Sequence, residues 1–224
     1  MKREFLTTKD GSVTIHLPDW NEQYHSIHGA INEAKHVFIE SGFRYFISSE
    51  EEQLDNITIL EIGFGTGLNA FLTFLNAEKH GVKIHYTGVD AFPVIASEFT
   101  QLNYPELLAA SSEVFKKLHL TPWGAPEIIS KYFTLTKRKQ FFSDIKAKEK
   151  YHLIYFDAFG ARVQPELWTE SIFKAMYEAL KFNGVLVTYS AKGSVRRAMQ
   201  TVGFTVERLS GPPGKRHMLR AVKE

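Results

Sequence analysis

Four carboxylates and one cluster of glycines are the residues whose type and spacing could do chemistry in this sequence. Glu61 stands two residues before Gly63, and Gly63, Gly65 and Gly67 fall within five residues. Asp90, Asp144 and Asp157 each stand at or just past the end of an apolar stretch. Glycines packed this closely let a backbone approach a bound molecule with no side chain in the way. A helix opening directly after them adds its positive end. Phe64 inside the glycine run and Asn69 just beyond it belong to the same candidate cofactor cradle.

The charge of that cradle decides between ligands. A nicotinamide fingerprint wants glycines at the first, third and sixth positions, but here the sixth is Leu68 and the last glycine falls one residue early. Glu61 would also repel a pyrophosphate. A carboxylate suits a cofactor with a cationic end and no phosphate. S-adenosyl-L-methionine, with a sulfonium, an α-ammonium and an unphosphorylated ribose, is such a molecule. Glu-x-Gly-x-Gly-x-Gly from Glu61 to Gly67 resembles the glycine motif of the Rossmann-like methyltransferases at every fixed position. The plainer reading is an ordinary strand-to-helix turn whose glycines serve tight packing.

The elements that must hold these residues are legible as strand and helix patterns. Ile57, Ile59, Leu60 and Ile62 read as a strand buried on both faces, as in a parallel sheet. Leu68–Leu75 starts an amphipathic helix that His80-Gly81 ends. Residues 83–90 form the next strand, and its final Asp90 suits the ribose hydroxyls or caps the helical stretch after it. Residues 93–130 are an insertion with helical patches at 94–102 and 106–118, a candidate substrate wall or lid. Tyr132–Thr136 reads as the third strand, and Asp144 beyond it faces an adenine amino group or serves as an N-cap. The fourth strand, Tyr151–Phe159, finishes on Asp157. The ends of such strands line the ligand crevice, so Asp157 is the carboxylate best placed for work on an acceptor. Phe159 suits stacking of an extruded base, Phe156 reads as core, and a cap for the next turn is the bland alternative for Asp157.

A helix from Pro165 to Leu180, a strand at 184–190, a short basic helix at 195–202 and an antiparallel pair at 204–209 and 217–222 complete the chain. This succession predicts an α/β fold: a Rossmann-like methyltransferase with a seven-stranded, mostly parallel sheet and a C-terminal antiparallel hairpin. Residues 1–50 form an N-terminal extension packed on the core, and 51–224 form the methyltransferase domain. The extension starts with a hairpin turned at Asp10-Gly11, then a helical stretch that covers the cofactor end of the sheet and closes at Ser41-Gly42. His25, His28, Glu33 and His36 lack a His-Glu-x-x-His spacing, so no metal is expected.

Composition describes an ordinary globular chain, 44% apolar and 23% charged. It has no membrane-spanning run, no signal-peptide pattern and no cysteine, which fits a cytoplasmic protein. The net charge of +2 hides an asymmetry: residues 192–224 hold eight Lys or Arg against two acids, and residues 131–150 seven against two. Two basic patches suit a polyanion such as nucleic acid, and solvated faces are the alternative.

Several runs together resemble one family, the methyltransferase domain of the MnmC-type tRNA enzymes. They are Glu61–Asn69, Phe156–Phe159 with Pro165–Thr169, Ser190–Arg197, Gly203-Phe204, Lys215–Leu219, and Tyr24, Ser26, Gly29 and Glu33 followed by Val37-Phe38. The resemblance runs from about Tyr24 to the C-terminus, and only loosely through 93–130. It implies methylation of the aminomethyl group on the wobble uridine of certain tRNAs, giving 5-methylaminomethyl-(2-thio)uridine. By the same resemblance Glu61, Gly63, Gly65, Gly67 and Asp90 hold the cofactor and Asp157 meets the reacting amine. Tyr24, Glu33 and Phe159, with Arg196 and Arg197, become candidate contacts to the tRNA substrate. Bifunctional relatives carry an FAD-dependent oxidase domain after this one, and the sequence ends at Glu224, so the expectation is a form acting on the aminomethyl substrate only.

The chemistry implied is in-line displacement at a methyl carbon by a neutral primary amine. Positive charge develops on nitrogen, and a carboxylate beside it stabilises that charge and aims the lone pair. Two other readings stand beside it. One is an amine methyltransferase of the same fold acting on a protein or small molecule, the other a catalytically inactive RNA-binding module.

Overall fold

The computed structural model describes residues 2–49 and 54–224. Among the described residues eleven strands lie in two sheets. The N-terminal segment forms a small antiparallel sheet from β1 (Glu4–Thr7), β2 (Val13–Leu17) and β3 (Glu22–Gln23). A continuous helical segment follows, α-helical as α1 (Ala30–Ala34), π-helical over Lys35–Arg44 and α-helical again as α2 (Tyr45–Ser49). Then come β4 (Ile57–Ile62), α3 (Leu68–His80) and β5 (Ile84–Asp90). The insertion holds α4 (Ala96–Phe99), α5 (Tyr104–Leu107), α6 (Ser112–Leu120) and β6 (Pro126–Ser130). The chain closes with β7 (Phe133–Lys139), β8 (Tyr151–Phe156), α7 (Glu170–Ala179), β9 (Leu180–Thr188), α8 (Gly193–Thr201), β10 (Thr205–Ser210) and β11 (His217–Val222).

The main sheet has the order β10-β11-β9-β8-β4-β5-β7-β6. The five central strands, β9 to β7, run parallel, and antiparallel strands close both edges. The sheet therefore has the expected parallel centre and C-terminal hairpin, with an eighth strand beyond the seven that the sequence predicts. That strand, β6, comes from the insertion and pairs antiparallel with β7 through a register shift between Ile128 and Ser130. Its five residues begin with proline, tolerated only at an edge or a strand start, and show no clean alternation.

Both faces of the sheet are covered, which is why its central strands read as continuous apolar runs. From β4 and β8, Ile57, Ile59, Leu153 and Tyr155 pack under the N-terminal helical segment, α3 and α6. Leu60, Ile62, Ile154 and Phe156 point the other way, toward α7 and α8. Residues 15–46 contribute to the first of these cores, so the N-terminal extension and the sheet share one apolar interior. The sequence pattern closes the N-terminal helix at Ser41-Gly42, whereas the helical segment continues to Ser49. Gly42 is a packing glycine instead: a Cβ there would stand 2.9 Å from Val187 and 3.3 Å from Tyr155 on the sheet. Gly81, by contrast, takes φ +67° and does end α3.

Because β4 is flanked by β5 on one side and β8 on the other, the connections reverse direction there. The carboxyl ends of those three strands open a crevice at the reversal. Gly42→Leu is expected to lower the unfolding free energy by about 1–3 kcal/mol, read by urea denaturation. Wild-type stability would mean that the helix does not press on the sheet as described.

Candidate cofactor and acceptor site

The crevice is a cavity of about 1330 Å³, walled by the glycine turn, the ends of β5 and β8, residues 20–28 and the β10–β11 loop. Sites for a single small ligand run roughly 300–1,000 Å³, so this one has room for two ligands side by side.

The turn after β4 is locked from within. The N–H groups of Gly63 and Phe64 both donate to the Val89 carbonyl at 3.0 Å, and that of Gly67 donates to the Phe64 carbonyl at 2.9 Å. Gly65 N–H donates to Asp90 Oδ2 at 2.9 Å, while Asp90 Oδ1 accepts from Phe92 N–H at 2.8 Å. A pyrophosphate cradle would need such donors for its ligand, and these are spent on the protein. Each Asp90 oxygen keeps lone-pair capacity for a hydroxyl. Burial pushes the Asp90 carboxyl up, opposed by the two backbone donors.

Gly63 and Gly65 take φ of +89° and +47°. A Cβ on Gly63 would stand 2.5 Å from the Asp157 carbonyl, and one on Gly65 would meet the Tyr24 ring at 3.2 Å. The turn is thus pressed against the end of β8 and roofed by an aromatic ring.

Behind the turn, Glu61 is fully buried and both its carboxylate oxygens lack a hydrogen-bond partner. Burial, with the nearby Asp157 charge, pushes its carboxyl well above the ordinary range; Tyr86 and Asn69 work the other way without closing a hydrogen bond to it. Glu61 does not line the cavity. An unsatisfied buried carboxylate one layer behind the wall favours a cation in front of it and disfavours a phosphate. These residues therefore fit S-adenosyl-L-methionine.

Asp157 lines the cavity, and its Oδ2 accepts from Asn69 Nδ2 at 2.8 Å. Burial raises its carboxyl to about 7, helped by the Glu33 charge and opposed by Asn69 and Lys215. The same cavity is lined by the rings of Trp20, Tyr24 and Phe159, with Phe159 edge-on to both others at centroid distances of 5.8 and 4.9 Å. Glu33, also on the wall, receives Lys215 Nζ at 2.5 Å and Ser26 N–H at 2.8 Å.

The sequence-derived residues separate into two sets. Gly63, Phe64, Gly65, Asn69, Asp90, Asp157, Phe159, Tyr24 and Glu33 all line the cavity. The Phe64 ring, however, turns into the insertion against His119 and Trp123, so it meets the cavity through its backbone side. Gly67 stands just off the wall at the start of α3. Asp144 is exposed on a short 3₁₀ turn and faces a separate small hollow beside Arg138 and Lys146; its neighbours Phe141, Phe142 and Ser143 line the main cavity instead. Asp144 on its 3₁₀ turn therefore does not line the main cavity, where the sequence reading puts an adenine contact. Arg196 and Arg197 are exposed on α8, outside the cavity. The second basic patch also loses a member: Lys137 is buried, donating to the His119 carbonyl and lying 4.9 Å from the Trp123 ring centroid.

Other wall residues are not singled out as site candidates by type or spacing, although Lys215 opens one of the runs that carry the resemblance. Lys215 sits in the Gly-Pro-Pro-Gly hairpin loop, 3.8 Å from the Tyr189 ring centroid. Phe92 and Phe141 remain 68% and 60% exposed while lining the cavity, which for phenylalanine marks a ligand-facing surface. His25 bridges Thr14 and the Thr66 hydroxyl, and His119 meets the Thr66 carbonyl at 3.0 Å, so both flanks of the site grip the turn. Burial lowers these histidines to about 4 and about 3, which keeps them neutral. Among the described residues no cluster of His, Asp and Glu could hold a metal ion, and no helix is long and apolar enough to cross a membrane.

Comparison with known proteins gives consistent neighbours. A family model described as S-adenosyl-L-methionine-dependent methyltransferase matches residues 134–224. A curated relative, the tRNA 5-methylaminomethyl-2-thiouridine biosynthesis bifunctional protein MnmC of Burkholderia multivorans, is 26% identical over 226 residues, 92% of this chain and 33% of that protein. The chain thus spans about a third of that relative's length. The crystal structure of MnmC2 from Aquifex aeolicus superposes with a TM-score of 0.78 at 26% identity, covering 100% of this chain and 70% of that one. Spermidine synthase from Thermotoga maritima, at 15% identity and a TM-score of 0.60 over 99% of this chain and 69% of that one, shares the fold.

Gly63→Ala is expected to weaken binding of S-adenosylhomocysteine at least about tenfold, since relief of a contact to backbone must open the turn. Isothermal calorimetry reads it, and wild-type affinity would remove the turn from the cofactor site.

Proposed function

We propose that the chain carries an S-adenosyl-L-methionine-dependent methyltransferase domain of the MnmC type and that it methylates the exocyclic amine of a modified wobble uridine in tRNA. In this reading the aminomethyl group of 5-aminomethyl-(2-thio)uridine becomes methylaminomethyl. Residues 1–50 act as an extension packed on the core, and 51–224 as the methyltransferase domain with the 93–130 insertion. The observation that carries the reading is that Asp157 and the packed rings of Trp20, Tyr24 and Phe159 line the same cavity as the glycine turn. A carboxylate suits an amine, and an aromatic box suits a base taken out of its stack.

Bound S-adenosyl-L-methionine supplies an electrophilic methyl carbon on a sulfonium. The protein's part is placement and charge. The turn at Gly63–Gly67, with Asp90 for the ribose hydroxyls, fixes the donor, and a cation there would favour ionisation of the buried Glu61 behind it. Asp157 accepts an N–H of the acceptor amine, which aims the lone pair, and stabilises the ammonium as it forms. Phe159 and Tyr24 hold the uracil plane. Arg196 and Arg197 on α8, with Lys192 just before the helix and Arg216 in the β10–β11 loop, offer exposed cations to stem phosphates outside the cavity.

Mass spectrometry of nucleosides from undermodified tRNA, after incubation with the protein and labelled S-adenosyl-L-methionine, tests the reading. Label is expected in methylaminomethyl-(2-thio)uridine; label only on protein or on small amines would overturn it. Asp157→Asn is expected to cut turnover at least about 100-fold with cofactor affinity held within a few-fold. Because the Asp157 carboxyl is raised to about 7, it takes up a proton as pH falls through that value and loses its acceptor role. The kcat/KM of the wild type should therefore fall about tenfold per unit below that point, and a flat profile between pH 5 and pH 7 would contradict the assignment. Arg196→Glu with Arg197→Glu should weaken tRNA binding and flatten its salt dependence. An unchanged salt slope would put the phosphate contacts elsewhere.

A further inference from the structure

We propose that Asn69 is a positioning residue for the acceptor carboxylate: its amide holds Asp157 ionised and turns the free oxygen of Asp157 toward the amine. The spacing of the glycine motif alone groups Asn69 with the cofactor contacts, and the geometry assigns it to the other ligand. This rests on the amine-methyltransferase reading above for what the carboxylate does, but not for the contact itself.

Asn69 is the second residue of α3 and is 3% exposed. Its Nδ2 donates to Asp157 Oδ2 at 2.8 Å, and no other described side chain donates to that carboxylate. An ionised carboxylate only accepts, so the amide nitrogen must face it and the amide oxygen must turn away. That oxygen is buried without a partner. A side chain that leaves a buried acceptor unsatisfied to keep one donor aimed at a carboxylate is placed for that carboxylate. Leucine would fill similar space with no such loss.

The position also separates two buried acids. The Asp157 charge raises the cost of ionising Glu61, and the neutral Asn69 side chain works against the upward shift of both acids. It comes from the first turn of a 13-residue helix, whose positive end favours a negative charge there. Its backbone carbonyl accepts from Thr73 Oγ1 at 2.7 Å, which fixes the residue within the helix. With Oδ2 engaged by Asn69, Oδ1 is the oxygen left for an incoming N–H.

The test is a titration of Asp157 in the protein without cofactor or tRNA, by NMR of carboxyl-labelled aspartate, with Asp157→Asn identifying the signal. Asn69→Leu is expected to move the midpoint up by about one pH unit, a tenfold change in proton affinity. The acid limb of kcat/KM should move with it, with S-adenosylhomocysteine affinity held within about threefold. Asn69→Ser keeps a shorter donor and should shift the midpoint upward by less; it decides the matter if the leucine variant fails to fold. An unmoved midpoint in the folded variant overturns the proposal. So does a tenfold loss of S-adenosylhomocysteine affinity with an unmoved pH profile, which returns Asn69 to the cofactor. If the midpoint moves but the wild type leaves tRNA unlabelled, the tRNA reading fails while the positioning role stands for another amine.

Discussion

Everything at this site depends on one close approach of backbone to backbone. At Gly63 the turn after β4 comes so near the Asp157 carbonyl that a single methyl group would stand 2.5 Å from it. That approach puts the start of α3 against the end of β8 and lets Asn69 reach Asp157. It also explains the spacing of the motif. Gly63 yields to β8 and Gly65 yields to Tyr24, both at positive φ that side chains avoid. Asp90 then pins the Gly65 N–H, so the turn has no slack. The glycine turn and the end of β8 with Asp157 are consequently one rigid unit, so in the proposed reading a reacting carbon held by the first cannot drift from the second.

The electrostatics come from the same packing. Pressing three acids, Glu61, Asp90 and Asp157, around one turn raises the carboxyl of each through burial. A cation in the cavity relieves that cost, and a phosphate would add to it. Lys215, set over the Tyr189 ring and paired with Glu33, adds a positive charge on the acceptor side without meeting Asp157 directly. The interior is acidic where an amine would react, while the exposed arginines of α8 stay outside it. The proposed reading thereby keeps polyanion binding and amine chemistry on separate surfaces.

Legibility in the sequence tracks how local each feature is. The glycine turn, α3 with its Gly81 stop, and the strands ending on Asp90 and Asp157 are consecutive in the chain, so spacing and periodicity suffice to find them. The edge strand β6 escapes such a reading because five residues headed by proline carry no period. Gly42 passes for a helix end because a glycine chosen for contact with Val187 looks the same in sequence as a C-cap. Asp144 stands out over Phe141, Phe142 and Ser143 because an acid is a more visible candidate than an apolar pair, and a 3₁₀ turn there is not encoded by any periodicity. Lys215, Trp20 and the histidines on Thr66 reach the site across long stretches of chain, and only tertiary structure brings them there.

The most direct measurement is a crystal structure of this protein with S-adenosylhomocysteine soaked in. The account predicts the ribose hydroxyls on Asp90, the amino-acid end over Gly63–Gly67, and the sulfur facing the carboxylate of Asp157 across the space open to an amine. A ligand bound elsewhere, or bound in the cavity with its sulfur turned from Asp157, would contradict it.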